Sequence, residues 1–86
     1  RQGTRFVMLI DDKPGVFAQV TKLFAQENAN VENIAVYHTD RGSEVVVKAT
    51  GEVAADKMTK ILQDAGFNIT NVVQTTAEGK TVVWLK

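Results

Sequence analysis

Two stretches of the chain repeat apolar residues at helical spacing, and each lies between segments rich in β-branched and aromatic residues. The first stripe runs from Val16 to Phe24, and the second runs from Ala54 to Ala65. Residues three and four positions apart share one face of a helix, so both stretches predict amphipathic helices. A chain that alternates in this way folds by packing its helices against a sheet.

Five segments around these stripes predict strands, at 4–10, 31–39, 43–50, 67–75 and 81–85. This order predicts an α+β, ferredoxin-like βαββαβ fold, an antiparallel sheet with two helices on one face, plus a C-terminal extra strand. The 86 residues then form a single domain, with a core at about 4–75 and the extra strand at about 80–86. Because the chain begins at Arg1 rather than Met, we expect a domain excised from a larger protein.

Asparagine and glycine residues follow the two stripes. Asn28 and Asn30 suit the end of the first helix, since asparagine tolerates the left-handed conformation, and Gly66 is the expected stop of the second. Alternation in the second strand predicts that Val31 shares a face with Asn33, Ala35 and Tyr37.

The strands expected at the centre of the sheet are apolar on both faces, at residues 6–10 and 45–47. An antiparallel sheet with one bare face alternates apolar and polar residues instead. We therefore expect the second face or an edge to be covered, as in a homodimer or a higher homo-oligomer.

Composition excludes several classes of function. Ten basic and ten acidic residues give no net charge, which argues against a general binder of nucleic acid or anionic membranes. The chain has no cysteine, which excludes disulfides and fits a cytoplasmic location. The longest apolar run, 6–10, is too short to span a membrane.

No set of residues predicts catalysis. His38 is the one histidine, so a metal site is not expected, and neither a nucleophile–base set nor a phosphate loop is present. We predict no catalytic residues, no cofactor and no enzyme activity. An RNA-binding module of this topology needs exposed aromatic residues on its central strands, which residues 45–48 lack. The glycine-rich, arginine-containing loop of an acylphosphatase is also missing.

The segment Asp11-Asp12-Lys13-Pro14-Gly15 between the first strand and the first helix is the most informative for binding. Amides at a helix start are unpaired and attract an anion, here those of Gly15, Val16 and Phe17. With Asp12 to meet an ammonium group, the turn is suited to a zwitterionic amino acid. Alternatively, Asp12 only caps the helix and the Pro-Gly pair only turns the chain.

Asn30 opens the second predicted strand and offers both a donor and an acceptor to a ligand. In the predicted fold this end lies near the same turn or near the turn of a symmetry mate. Alternatively, Asn30 only ends the first helix.

The pattern Asp12-x-Pro14-Gly15-Val16-Phe17, followed by Asn30-Val31-x-x-Ile34, resembles the signature of the ACT domain family. The resemblance covers residues 5–73 and implies a regulatory module that pairs with another copy and binds an amino acid where two domains meet. With the residues of the turn, it gives these candidate ligand-binding residues: Asp11, Asp12, Gly15, Val16, Phe17, Asn30 and Val31.

The sequence is also similar to the C-terminal ACT segment of CBS-domain, acetoin-utilisation-type proteins. Some serine-binding members carry a histidine two positions before the first motif residue, where this chain has Ile10, so serine recognition of that kind is not expected. Two functions remain open: a ligand-sensing domain that controls an attached or partner protein, and a ligand-free self-association module.

Overall fold

The computed structural model describes residues 2–11, 13–51 and 53–86. In chain order its elements are β1 (Gly3–Ile10), α1 (Val16–Gln26), β2 (Asn30–Thr39), β3 (Gly42–Thr50), α2 (Ala55–Asp64), β4 (Asn68–Thr75) and β5 (Thr81–Leu85). All neighbouring strands are antiparallel, in the order β2-β3-β1-β4-β5. This confirms the predicted α+β, ferredoxin-like fold, with β1 and β3 near its centre and β5 added beside β4.

Left-handed residues end both helices, as the sequence predicts. Asn28 has φ 56°, and the amide of Ala29 donates to the carbonyl of Phe24 at 3.0 Å. Gly66 has φ 96°. The amide of Phe67 donates to the carbonyl of Leu62 in α2 at 3.0 Å, so β4 begins after Phe67. Of the two candidate asparagines, therefore, Asn28 ends α1, and Asn30 begins β2.

The core lies between the sheet and the two helices, because both helices bury their apolar stripes on one face of the sheet. Its fully buried large side chains include Phe6 and Met8 from β1, Val45 and Val47 from β3, Val20 and Phe24 from α1, and Met58 and Leu62 from α2. Burial of this many apolar side chains is the main source of stability in a fold of this size.

A bulge interrupts the pairing of β2 with β3 between Val31 and Asn33. The extra residue shifts the alternation, so Val31 packs against the core on the same side as Ile34. Asn33 is exposed. The prediction that Val31 shares a face with Asn33 is therefore wrong, because a bulge reverses the side-chain direction on one side of it.

The face of the sheet away from the helices is also apolar at its centre. Val7 lies directly opposite Val46, and Val46 lies opposite Ala35 on β2. All three side chains are only half-buried. Among the described residues, no helix is long and apolar enough to cross a membrane.

Candidate functional site

The turn between β1 and α1 borders a hollow of about 230 Å³. The hollow opens where β1 ends and where the chain passes from α2 into β4. Its walls include Leu9, Asp11, Lys13, Val16, Gly66 and Phe67. Asp11 and Val16 are thus two predicted site residues that the structure brings to one cavity.

Glycine shapes the start of α1. Gly15 is the N-cap residue, with φ 84° and ψ −5°, and no side chain caps the helix within the described part of the chain. The left-handed region strongly favours glycine, since a Cβ atom there strains the backbone. The carbonyl of Gly15 accepts the amide of Gln19 at 3.0 Å.

Backbone hydrogen bonds hold the turn itself. The amide of Lys13 donates to the carbonyl of Asp11 at 2.9 Å, and the amide of Val16 donates to the carbonyl of Lys13 at 3.3 Å. The prediction of an unpaired Val16 amide is therefore wrong, because this amide closes the turn. The first-turn amides of Gly15 and Phe17 lack acceptors within the helix, and they remain the candidate anion donors.

Two predicted residues contribute apolar packing at this end. The side chains of Val16 and Phe17 are partly buried and pack against the core. Val16 also lines the hollow, whereas Gly15 and Phe17 do not line it, so only their backbone amides stay candidate contacts. Asp12 lies outside the described residues, and its ligand role stays a prediction, although the N-cap position of α1 belongs to Gly15.

Asn30 and Val31 lie at the other end of the sheet. Asn30 pairs with Thr50, and Thr50 pairs with Gly3 at the start of β1. The length of β1 separates this end from the turn by roughly 25 Å, at about 3.3 Å per residue. The structure does not bring Asn30 to the turn of its own protomer, so a site shared with a symmetry mate stays a prediction.

The amide group of Asn30 already has one partner. Its Nδ2 donates to Oγ1 of Thr50 at 3.1 Å. This cross-strand bond holds the Asn30 side chain and leaves its Oδ1 as the atom for a ligand. Val31 directs its side chain to the core, so only its backbone is a candidate for binding.

Sequence reasoning missed Lys13 and Phe67 as lining residues. Lys13 stands inside the turn motif, so its charge was a visible signal. Phe67 follows the helix stop at Gly66, but nothing local indicates that this segment meets the β1–α1 turn. The hollow therefore combines charges of both signs from the β1–α1 turn with an apolar wall from the α2–β4 connection, which is far away in the sequence.

The arrangement is suited to binding. Within the described ranges, no three His, Cys, Asp or Glu side chains gather where they could hold a metal ion. His38 shares a hydrogen bond with Ser43 at 3.0 Å, inside the β2–β3 hairpin.

A family model described as an AHAS small subunit-like ACT domain matches residues 6–64, from β1 to the end of α2. The chain belongs to the ACT domain family. The matched range includes the β1–α1 turn and the start of β2, while Phe67 and the extra strand lie beyond it. Domains of this kind are regulatory and not catalytic, and the same holds for this ACT domain.

Curated relatives agree with this assignment. This ACT domain is 33% identical over 70 residues to the acetolactate synthase small subunit of Mycobacterium bovis. It is equally similar to a putative acetolactate synthase small subunit of Mycobacterium tuberculosis. The alignment covers 78% of this chain and 41% of the relative, so the chain spans less than half the length of the relatives it matches. No solved structure gives a significant match.

Proposed function

We propose that this ACT domain binds a small amino acid at the β1–α1 turn, between two protomers, and thereby regulates an acetolactate synthase. The observation that carries the proposal is the hollow of about 230 Å³ at that turn, which an acidic and a basic residue, Asp11 and Lys13, both line. A free amino acid carries both charges, so each finds a group of opposite sign.

The chemistry of the walls supports a zwitterion. Lys13 and the first-turn amide of Gly15 attract the ligand carboxylate, helped by the positive end of the α1 dipole. Asp11, with Asp12 beside it in the sequence, attracts the ammonium group. Leu9 and Phe67 give an apolar wall for a side chain. A hollow of this size admits one small molecule rather than a peptide.

Pairing along β2 would complete the site. β5 covers the edge of β4, so the two open edge strands are β2 and β5. If two protomers pair antiparallel along β2, a two-fold axis brings Asn30 of the partner subunit beside Thr39, at the end where β1 reaches the turn. The Oδ1 of that asparagine would then lie at the same end of the widened sheet as the turn, and it is the proposed partner of the ligand's ammonium group.

Pairing along β2 would also bury apolar side chains that lie exposed outside the core. Val36 and Tyr37 on β2 are 37% and 55% exposed, and Val83 and Trp84 on β5 are 51% and 46% exposed at the other edge. A second copy of the chain paired along β2 would cover Val36 and Tyr37. A ligand bound between the copies then favours the paired arrangement, because it binds that arrangement more tightly than the separated one.

The acetolactate synthase partner is proposed because the similar proteins are small subunits of that enzyme. An attachment to CBS domains and a cytoplasmic location stay predictions from the sequence.

A thermal-shift screen of the twenty amino acids tests the proposal, since a ligand that binds only the native state raises Tm. We expect at least one amino acid to raise Tm and Lys13→Ala to abolish that rise. Lys22→Ala, a matched change of an exposed lysine on α1, should leave it intact. No shift with any amino acid at saturation would instead favour a ligand-free self-association module.

A further inference from the structure

A second hollow, of about 300 Å³, lies on the helix-free face of the sheet at the end opposite the β1–α1 turn. Arg5, Lys48, Val73 and Thr75 line it on three neighbouring strands, and Glu32 lines it from β2. It therefore differs from the proposed amino-acid site in both position and composition.

Two cations face each other across this hollow. Arg5 on β1 is the direct cross-strand partner of Lys48 on β3, and both side chains are exposed. Like charges in directly opposite positions of an antiparallel pair repel and destabilise the sheet. An anion between them would convert this repulsion into two favourable contacts.

The guanidinium of Arg5 is held in place rather than free. Its Nη2 donates to Oδ1 of Asn71 at 3.1 Å, and Nδ2 of Asn71 donates in turn to the carbonyl of Leu85 at 3.0 Å. The extra strand β5 thus orients Arg5 through Asn71. A fixed guanidinium loses less side-chain entropy when it binds an anion, and its planar donors suit two oxygens at once.

Glycine opens the floor of the hollow. Gly3 lies between Thr50 and Thr75 in the sheet and has no side chain to fill the space. A Cβ atom there would approach the carbonyl oxygen of Ala49 to 3.1 Å, so the backbone is tightly packed beneath it. A small ligand can therefore approach the sheet closely at this point.

We propose that this hollow binds the oxyanion group of a small molecule, a carboxylate or a phosphate, between Arg5 and Lys48. Arg5 supplies oriented donors, Lys48 supplies a mobile point charge, and the hydroxyl of Thr75 supplies a further donor at the rim. Glu32 lines the same hollow, so a bound oxyanion lies near its carboxylate and competes with it for these cations. The site is separate from the amino-acid site and does not depend on it.

Titrations of the domain with sodium succinate and with sodium phosphate, at constant ionic strength in chloride, test this proposal by amide chemical shifts. Both probes should saturate and shift amides of β1 and β3 around Arg5 and Lys48. Lys48→Gln should raise Kd by about tenfold, as for one lost charge-assisted contact. Lys22→Gln, the matched lysine on α1, should leave Kd unchanged, and Glu32→Gln should lower it.

The two probes also separate the two sources of the oxyanion. Tighter succinate identifies a carboxylate ligand, and tighter phosphate identifies a phosphate ligand. The proposal is overturned if neither probe saturates, if the shifts lie elsewhere, or if Lys22→Gln weakens binding as much as Lys48→Gln. Because Lys48→Gln leaves the β1–α1 turn untouched, its amino-acid response should be that of the wild type, which keeps the two proposals distinguishable.

Discussion

The ring of Phe24 on α1 meets the ring of Phe6 on β1 edge to face, with centroids 5.2 Å apart and planes at 73°. Both side chains are fully buried. Edge-to-face pairs add to the stability that apolar burial gives. Since α1 follows β1 directly, this contact fixes the helix over the central strand and determines where the β1–α1 turn lies.

Phe24→Ala should lower the free energy of unfolding by about 3–5 kcal/mol, because it leaves a cavity and removes the aromatic pair. Urea unfolding followed by circular dichroism measures the change. Phe67→Ala is the matched control, since Phe67 is only partly buried, and it should cost clearly less. Equal losses in the two variants would contradict the assignment of Phe24 to the centre of the core.

Thr4→Val should raise the free energy of unfolding by about 1 kcal/mol, because it removes a buried hydroxyl at nearly constant volume. Thr4 is 3% exposed, and its Oγ1 has no hydrogen-bond partner among the residues that the structure describes. Thr70→Val is the control, since Oγ1 of Thr70 donates to the carbonyl of Val7 at 3.2 Å. That variant should lose stability, and changes of the same sign would argue against an unpaired Thr4 hydroxyl.

The fold was largely predictable from periodicity, while the details around the site were not. The apolar stripes and the glycine at position 66 identify the helices and their ends. The bulge near Val31 could not be predicted from the alternation of side chains, because a strand with one inserted residue has the same kind of sequence as a regular strand. The hollow could not be predicted, because Lys13 and Phe67 are far apart in the chain and line one cavity only after α2 packs on the sheet.

Val36→Lys should weaken self-association if protomers pair along β2, because it introduces a charge at the open edge. Size-exclusion chromatography with light scattering measures the mass as a function of concentration. Val83→Lys is the matched control on the opposite edge, where Val83 is 51% exposed, and it should leave the mass unchanged. If Val83→Lys alone dissociates the oligomer, pairing uses the other edge of the sheet and the proposed site loses its partner.

Gly15→Ala should cost about 1 kcal/mol of stability, because an alanine is strained in the left-handed region, and should abolish the Tm rise caused by an amino acid. Gly79→Ala is the control that separates the loss of stability from the loss of the response to an amino acid. Both glycines have φ 84° and no atom within 4 Å of an added Cβ, so the strain should be equal. Only Gly15 belongs to the β1–α1 turn, at the N-cap of α1, so an equal loss of ligand response in both variants would speak against binding there.

Complementation between protomers tests most directly whether the turn of one protomer and the asparagine of another form one receptor. Lys13→Ala and Asn30→Ala proteins are each titrated calorimetrically with the amino acid that gives the largest Tm rise in the wild type, and then titrated as an equal mixture after unfolding and refolding together.

Neither variant alone should bind. Random pairing in a two-fold dimer makes half of the dimers mixed, and each mixed dimer has one site with both residues intact. The mixture should therefore recover about a quarter of the wild-type sites at unchanged affinity. A mixture that binds no better than the separate variants would contradict a site shared between protomers.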